Sequence, residues 1–208
     1  MALDTWLTFV AASTLLLLIP GPTILLVLSY GISQGRRVAV STAAGVAVGD
    51  LIAMTASLAG LGALVLASAT LFIALKWIGA AYLLYLGTTM ILSARTAELA
   101  LPQTDSITAR RTFTHAATVT ALNPKSIAFF IAFVPQFIRP EAALLPQFAI
   151  LISTFVALAT INAFTYALLA GSLRDRLAKP GIITWLSRAG GATLIAMGIL
   201  TATLRPST

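Results

Sequence analysis

The chain has 208 residues, of which 59% are hydrophobic and only 9% are charged, and its formal net charge is +7. Water-soluble domains carry about 25% charged residues, so this chain has more apolar surface than a compact fold of its length could hide from water. A water-soluble enzyme is therefore excluded, and lipid is the expected solvent. The lack of cysteine removes disulfides and thiolate metal sites from the options.

Apolar segments account for most of the chain. A spanning helix needs about 20 apolar residues, and six such helices with short connections fill the length, which leaves a single transmembrane domain over residues 1–208. The predicted spans cover residues 6–30, 38 to a turn near 59–69, 70–92, 113–138, 145–170 and 182–204. The turn after the second span is expected around Gly60 and Gly62. The amino terminus lacks the basic region of a secretory signal, so the first span is expected to remain in the mature protein.

Two of the predicted spans contain helix-breaking residues near their middle. These are Pro20, Gly21 and Pro22 in the first span and Asn123, Pro124 and Lys125 in the fourth. A broken helix exposes amide groups and a positive dipole end, which suit a carboxylate. We expect these residues, with the hydroxyl of Thr23, to bind substrate near the midplane of the membrane. The alternatives are a simple kink at each proline and a position for Lys125 at the membrane interface.

The two breaks are one sign of an internal repeat. A shift of 112 residues places Asp50 on Asn162, Lys76 on Arg188 and Gly79 on Gly191, and a shift of 102 residues places Pro22 on Pro124. Halves of three spans each, over residues 1–94 and 113–208 with a linker at 95–112, would insert in opposite orientations. The predicted fold is therefore an all-α integral membrane protein with six transmembrane helices in two inverted three-helix repeats, the first and fourth helices broken. Chance similarity between apolar segments is the alternative.

Asp50 is the only acidic residue inside any predicted span. A carboxyl group in a low-dielectric region can take up and release a proton during transport, so Asp50 is the predicted proton carrier. The alternative is a static ion pair with Lys76 or Lys125.

Small residues next to Asp50 indicate close helix packing. Gly45 and Gly49 are four residues apart, a spacing that lets another helix approach closely. Gly79 of the third span is predicted to serve the same purpose.

The basic residues are interpreted as topology signals rather than as a nucleic-acid surface. The loops after the first, third and fifth spans hold Arg36, Arg37, Arg95, Arg110, Arg111, Arg174, Arg176 and Lys179. The positive-inside rule then places both termini outside the cytoplasm, although a five-span arrangement would change this. His115 is the only histidine, and no metal, nucleotide or cofactor motif is visible.

The motifs together resemble those of one transporter family. Residues Pro20-Gly21-Pro22, Gly45-x-x-x-Gly49-Asp50, Lys76-x-x-Gly79-Ala-Ala-Tyr82-Leu-Leu-x-x-Gly87 and Asn123-Pro124-Lys125 follow in this order. The ordered set is similar to the lysine-exporter and homoserine/threonine-resistance (LysE/RhtB) family over essentially the whole chain. The resemblance implies a bacterial inner-membrane exporter of amino acids or close derivatives that uses proton antiport or the proton-motive force.

We therefore expect an alternating-access amino-acid exporter whose partners are its substrate, protons and the lipid bilayer, without nucleic acid or cofactor. The absence of a second buried acid favours neutral, small or hydroxylated amino acids over cationic ones. A passive amino-acid or metabolite channel and a non-transporting membrane assembly protein are the alternatives. The oligomeric state is open, and a homo-oligomer is one option.

Overall fold

The computed structural model describes residues 1–18, 21–95, 108–139, 141–177 and 180–203. Within these ranges the chain is helical and forms no β-strand, which confirms the all-α prediction. The helices are α1 (Leu3–Leu18), α2 (Pro22–Gln34), α3 (Arg36–Ala67), α4 (Ala69–Leu92), α5 (Ala109–Ala121), α6 (Pro124–Ala128), α7 (Leu144–Leu177) and α8 (Pro180–Thr203). A π-helical turn, Phe129–Phe133, and a 3-10 turn, Val134–Phe137, continue α6.

Four segments of the described chain are long and apolar enough to cross a membrane. They are Arg36–Ala63, Ile73–Leu92, Ala109–Phe137 and Leu144–Ala170. The pair α1 and α2 bends by 48° and would form a fifth span. The fourth predicted span is interrupted at Asn123 yet still counts as one segment, without a sharp bend. The arrangement of six spans in two repeats stays a prediction.

Two turns are tighter than the sequence suggests. The turn between α3 and α4 is Ser68, whose side chain accepts a hydrogen bond of 3.3 Å from the Leu71 amide and so caps α4. It lies within the expected range of 59–69, but Gly60 and Gly62 are inside α3, so the expected turn at these glycines is wrong. The predicted polar loop after the first span reduces to Gly35, which turns the chain with a φ of 82°.

Other boundaries also differ from the prediction because helices extend beyond the apolar segments. Helix α5 begins at Ala109, inside the predicted linker at 95–112, with Thr108 as its N-cap. Residues 96–107 of that linker lie outside the described residues. Helix α7 continues to Leu177, through Arg174 and Arg176, so these arginines are not in a loop.

Glycines allow the helices to approach one another. Helices α4 and α8 pack antiparallel, with Gly87 against the backbone of Gly191. Helix α3 packs parallel to α5 and equally close, because a side chain at Gly45 or Gly49 would collide with the α5 backbone.

Two apolar clusters form the core, one on each side of the helix breaks. The first contains bulky rings, among them Phe9, Phe129, Phe130, Phe133, Phe137 and Phe155. The second is rich in small residues, among them Ala39, Ala43, Ala116, Ala163, Ala167 and Ala170. We call the end of the bundle beyond the first cluster the aromatic end. The opposite end, where α3 and α5 begin with Arg36, Arg37, Arg110 and Arg111, is the basic end.

Candidate functional site

The first helix break leaves a free helix start near the middle of the bundle. Helix α2 begins at Pro22, a position where proline costs no hydrogen bond. Gly21 precedes it as N-cap, is buried, and offers no side chain to the amide groups of the first turn. The α2 amides therefore keep donor capacity next to Gly21. Ile19 and Pro20 lie outside the described residues.

The last carbonyls of α1 are bound by side chains from the second half of the chain. Lys125 Nζ donates to Leu16 O at 3.1 Å, Asn162 Nδ2 to Leu17 O at 2.9 Å, and Tyr166 Oη to Leu18 O at 3.0 Å. A helix end at membrane depth needs such partners because no bulk water is available there. The end of α1 is thus fixed to α6 and α7.

Asn123 joins the two helix breaks. Its side-chain oxygen accepts from the Lys125 amide at 3.0 Å and caps α6. Its side-chain amide donates to Thr23 Oγ1 at 3.0 Å. Both side chains are buried, with exposed fractions of 5% for Asn123 and 9% for Thr23. The breaks therefore meet at one point although they are 100 residues apart in sequence.

A small polar cavity lies at this meeting point, between the two apolar clusters. It has about 40 Å³ of space accessible to water, and one water needs roughly 10–15 Å³, so there is room for about three waters. Its polar lining comes from Thr23, Asp50, Asn123, Lys125, Ser126 and Asn162. The apolar lining includes Leu16 and Phe155. Such a polar chamber in a hydrophobic bundle is the setting expected for a transported ligand.

Asp50 and Lys125 give this cavity one charge of each sign. Asp50 is only 3% exposed, and within the part of the chain that the structure describes no group donates a hydrogen bond to its carboxylate. Its charge interacts with that of Lys125. Because a buried charge without a hydrogen-bond donor is costly, this carboxylate is suited to bind a proton or a cationic group of a ligand.

The structure brings together most of the predicted site residues. Gly21, Thr23, Asn123, Lys125 and Asp50 all line the cavity. Pro22 and Pro124 start α2 and α6 instead, and Pro124 is exposed. Pro20 is outside the described residues.

The predicted packing glycines lie away from the cavity. Gly45 and Gly49 face α5, and Gly79 faces Ala132 in the π-helical turn. Lys76 is not in the cavity lining, whereas Lys125 is.

Three polar residues near the cavity were not predicted as site residues. Asn162 occupies the position that matches Asp50 in the proposed repeat, which is the one sequence signal that could have identified it. Ser126 follows the second break directly. Tyr166 is one helical turn after Asn162 on α7, a spacing that places both side chains on the same face.

His115 lies apart from this site and is hydrogen bonded to Tyr30 Oη at 2.9 Å. Among the described residues no three histidine, aspartate or glutamate side chains are grouped as a metal site would require.

Comparisons with known proteins relate the chain to efflux proteins. A family model described as "LysE type translocator" matches residues 14–204. The chain is 35% identical over 206 residues to the homoserine/homoserine lactone efflux protein of Salmonella typhimurium, covering 99% of each chain. It is 32% identical over 205 residues to an uncharacterized membrane protein of Vibrio cholerae, covering 99% of this chain and 100% of that one. Identity to the leucine efflux protein of Klebsiella pneumoniae is 28% over 174 residues, covering 84% and 82% of the two chains. No solved structure matches.

Proposed function

This chain belongs to the LysE family of translocators, and from that premise we propose that it exports amino acids or close derivatives across the bacterial inner membrane in exchange for protons. The resemblance seen in its motifs is confirmed, and the protein is a membrane transporter rather than an enzyme. Two relatives are named for efflux of homoserine, its lactone and leucine, which supports a neutral amino acid as substrate.

The polar cavity is the observation that carries this proposal. An amino acid presents one ammonium and one carboxylate, and the cavity presents one carboxylate, Asp50, and one ammonium, Lys125. The substrate ammonium therefore matches Asp50 in charge, and the substrate carboxylate matches Lys125. The amides of the first α2 turn, which no described side chain caps, add a second site for the substrate carboxylate.

Proton exchange follows from competition at Asp50. Its carboxylate can hold either a proton or the substrate ammonium, because both neutralise the same charge. Loading of substrate from the cytoplasm then requires Asp50 to release its proton to the cytoplasm. Release of substrate on the far side lets Asp50 bind a new proton from that side. Lys125 exchanges its hydrogen bond with Leu16 O for one with the substrate carboxylate. This cycle couples one outward substrate to one inward proton.

Alternating access is attributed to two inverted halves that rock around the cavity. The element order supports this proposal, since each half has a broken helix, then a helix of 32 or 34 residues, then a helix of 24 residues. The proposed six spans would leave both termini on one side of the membrane, and because the positive-inside rule assigns the basic loops to the cytoplasm, we propose that both termini lie outside it.

The test uses purified protein in proteoliposomes loaded with a pH-sensitive dye. Addition of a radiolabelled neutral amino acid should move protons in the direction opposite to the substrate. Asp50→Asn should remove both the proton flux and the effect of a pH gradient on efflux. Glu141→Gln, which changes an exposed acid in the turn before α7, should leave both intact. Efflux by Asp50→Asn equal to wild type at every pH would reject the proton role, and substrate flux without proton flux would indicate a passive channel.

A further inference from the structure

A second, larger cavity adjoins the polar one. It measures about 270 Å³, is partly open at the protein surface, and shares Gly21, Asn123 and Lys125 with the smaller cavity. These three residues therefore form the boundary between the two spaces. A Cβ added at Gly21 would lie 3.4 Å from Lys125 Cδ and would fill the space between the two residues. The boundary is therefore thin because residue 21 is glycine.

The lining of the larger cavity is mainly aliphatic. Leu25 comes from α2, Leu86 and Met90 from α4, and Leu194 from α8. Lys125 is the only charged residue among the described lining residues. A cationic side chain would find no acid in this space, and an acidic one would compete with the substrate's own carboxylate for a single ammonium.

The two α4 hydroxyl groups in this lining donate hydrogen bonds within their own helix. Thr89 Oγ1 donates to Leu86 O at 3.0 Å, and Ser93 Oγ donates to Thr89 O at 2.8 Å. Both hydroxyl groups donate to carbonyls of α4 itself, so the cavity wall at α4 is less polar than its residue types indicate.

The larger cavity lies on the side of the helix breaks toward the basic end. Its lining includes the last turns of α4 and Ser187 near the start of α8. The positive-inside rule assigns this end to the cytoplasm, the side from which an exporter takes its substrate. The phenylalanines of the first cluster lie in the other direction.

We propose that the larger cavity is the side-chain subsite of the transporter and that it selects amino acids with neutral aliphatic side chains of about leucine size. This inference rests on the proposed function, because it places the ammonium and carboxylate of the substrate in the polar cavity. The side chain then extends past Gly21 into the aliphatic space. Lysine and arginine are rejected there because no acid lines the space, and glutamate because its side chain competes with the substrate carboxylate for Lys125.

Exchange transport of a radiolabelled amino-acid panel in proteoliposomes tests this subsite. Met90→Phe fills part of the larger cavity and should lower leucine exchange by about tenfold, the discrimination associated with a methylene or more of lost space. Exchange of alanine should change little. Leu92→Phe is the matched control, since Leu92 is on the same helix and 76% exposed, and it should leave the whole profile unchanged.

A labelling measurement keeps the inference testable if Met90→Phe folds poorly. The chain has no native cysteine, so Met90→Cys would be the single thiol in the protein. Leucine should slow its reaction with a water-soluble thiol reagent, and lysine should not. Leu92→Cys should show no protection by either amino acid.

The outcomes separate the two proposals. Two results would overturn the subsite and leave the exporter intact. One is a preference of the wild type for a charged amino acid. The other is an equal loss of alanine and leucine exchange in Met90→Phe together with no protection of Met90→Cys by leucine. Absence of exchange for every amino acid in the panel would overturn the exporter and the subsite together.

Discussion

Removing the charge of Lys125 should destabilise the protein strongly, and removing the charge of Asp50 as well should restore part of the loss. Lys125→Met leaves the buried Asp50 carboxylate without its opposing charge and leaves Leu16 O without its donor. Leaving a buried charge uncompensated in this way costs about 3–5 kcal/mol. Asp50→Asn alone should cost less, because Lys125 keeps its hydrogen bond to Leu16 O.

The double variant Asp50→Asn with Lys125→Met contains no unpaired charge. Residues that interact directly show coupling of about 0.5–3 kcal/mol, so the double variant should be more stable than the sum of the single effects by roughly 2 kcal/mol. For a chain of this length that corresponds to about 4–8 °C in melting temperature. The double variant should therefore melt at a higher temperature than Lys125→Met alone.

Thermal unfolding in detergent, followed by the fluorescence of the three tryptophans, measures these values. The control cycle combines Asp50→Asn with Arg188→Met, an exposed charge that lines neither cavity, and should be additive to about 0.5 kcal/mol. Additive effects in the Asp50 and Lys125 cycle would refute the electrostatic argument for this site.

Four further substitutions test the packing through the free energy of unfolding. Gly49→Ala should cost about 1–3 kcal/mol, because its Cβ would lie 2.6 Å from Ala117 O. Gly60→Ala should instead stabilise α3 by up to about 1 kcal/mol, because nothing lies within 4 Å of the added Cβ. Equal effects of the two substitutions would contradict the contact between α3 and α5. Tyr166→Phe should lose about 0.5–1.5 kcal/mol with the hydrogen bond to α1, and no change would mean that this bond does not hold α1. Phe130→Ala should cost about 3–5 kcal/mol, and a loss below 1 kcal/mol would show that the aromatic cluster can collapse around the gap.

Local features of the sequence predict much of this fold. The composition requires lipid, and helix ends follow from the length of apolar segments, so α4 begins at Ala69 where residue 70 was predicted. Proline marks both helix breaks, with glycine beside it in the first, because its effect on the backbone is intrinsic to the residue. The predicted turn at Gly60 and Gly62 was wrong since a glycine inside a packed helix needs no special backbone conformation.

The contacts that complete the site could not be predicted in the same way. Asn162 and Tyr166 reach α1 across 145 and 148 residues of sequence, and such pairs depend on the arrangement of whole helices. Asp50 and Lys125 were identified individually because charges in apolar sequence are conspicuous. Their position in one cavity required the packing of α3 against the second break. The larger cavity is lined by ordinary leucines and a methionine, which carry no sequence signal of their own.

The apolar clusters on the two sides of the helix breaks differ in side-chain size. Separating the helices should therefore cost more free energy at one end of the protein than at the other. Exposing a buried phenylalanine side chain to water costs about 1.5–3 kcal/mol of hydrophobic free energy, whereas exposing a single methyl group costs roughly 0.8 kcal/mol. The ring-filled end is therefore the stiffer seal, and the alanine-lined end yields at lower cost. Under the proposed alternating access, we expect the empty transporter to open toward the cell interior, and we expect binding of substrate or of a proton to supply the energy that separates the phenylalanine side chains.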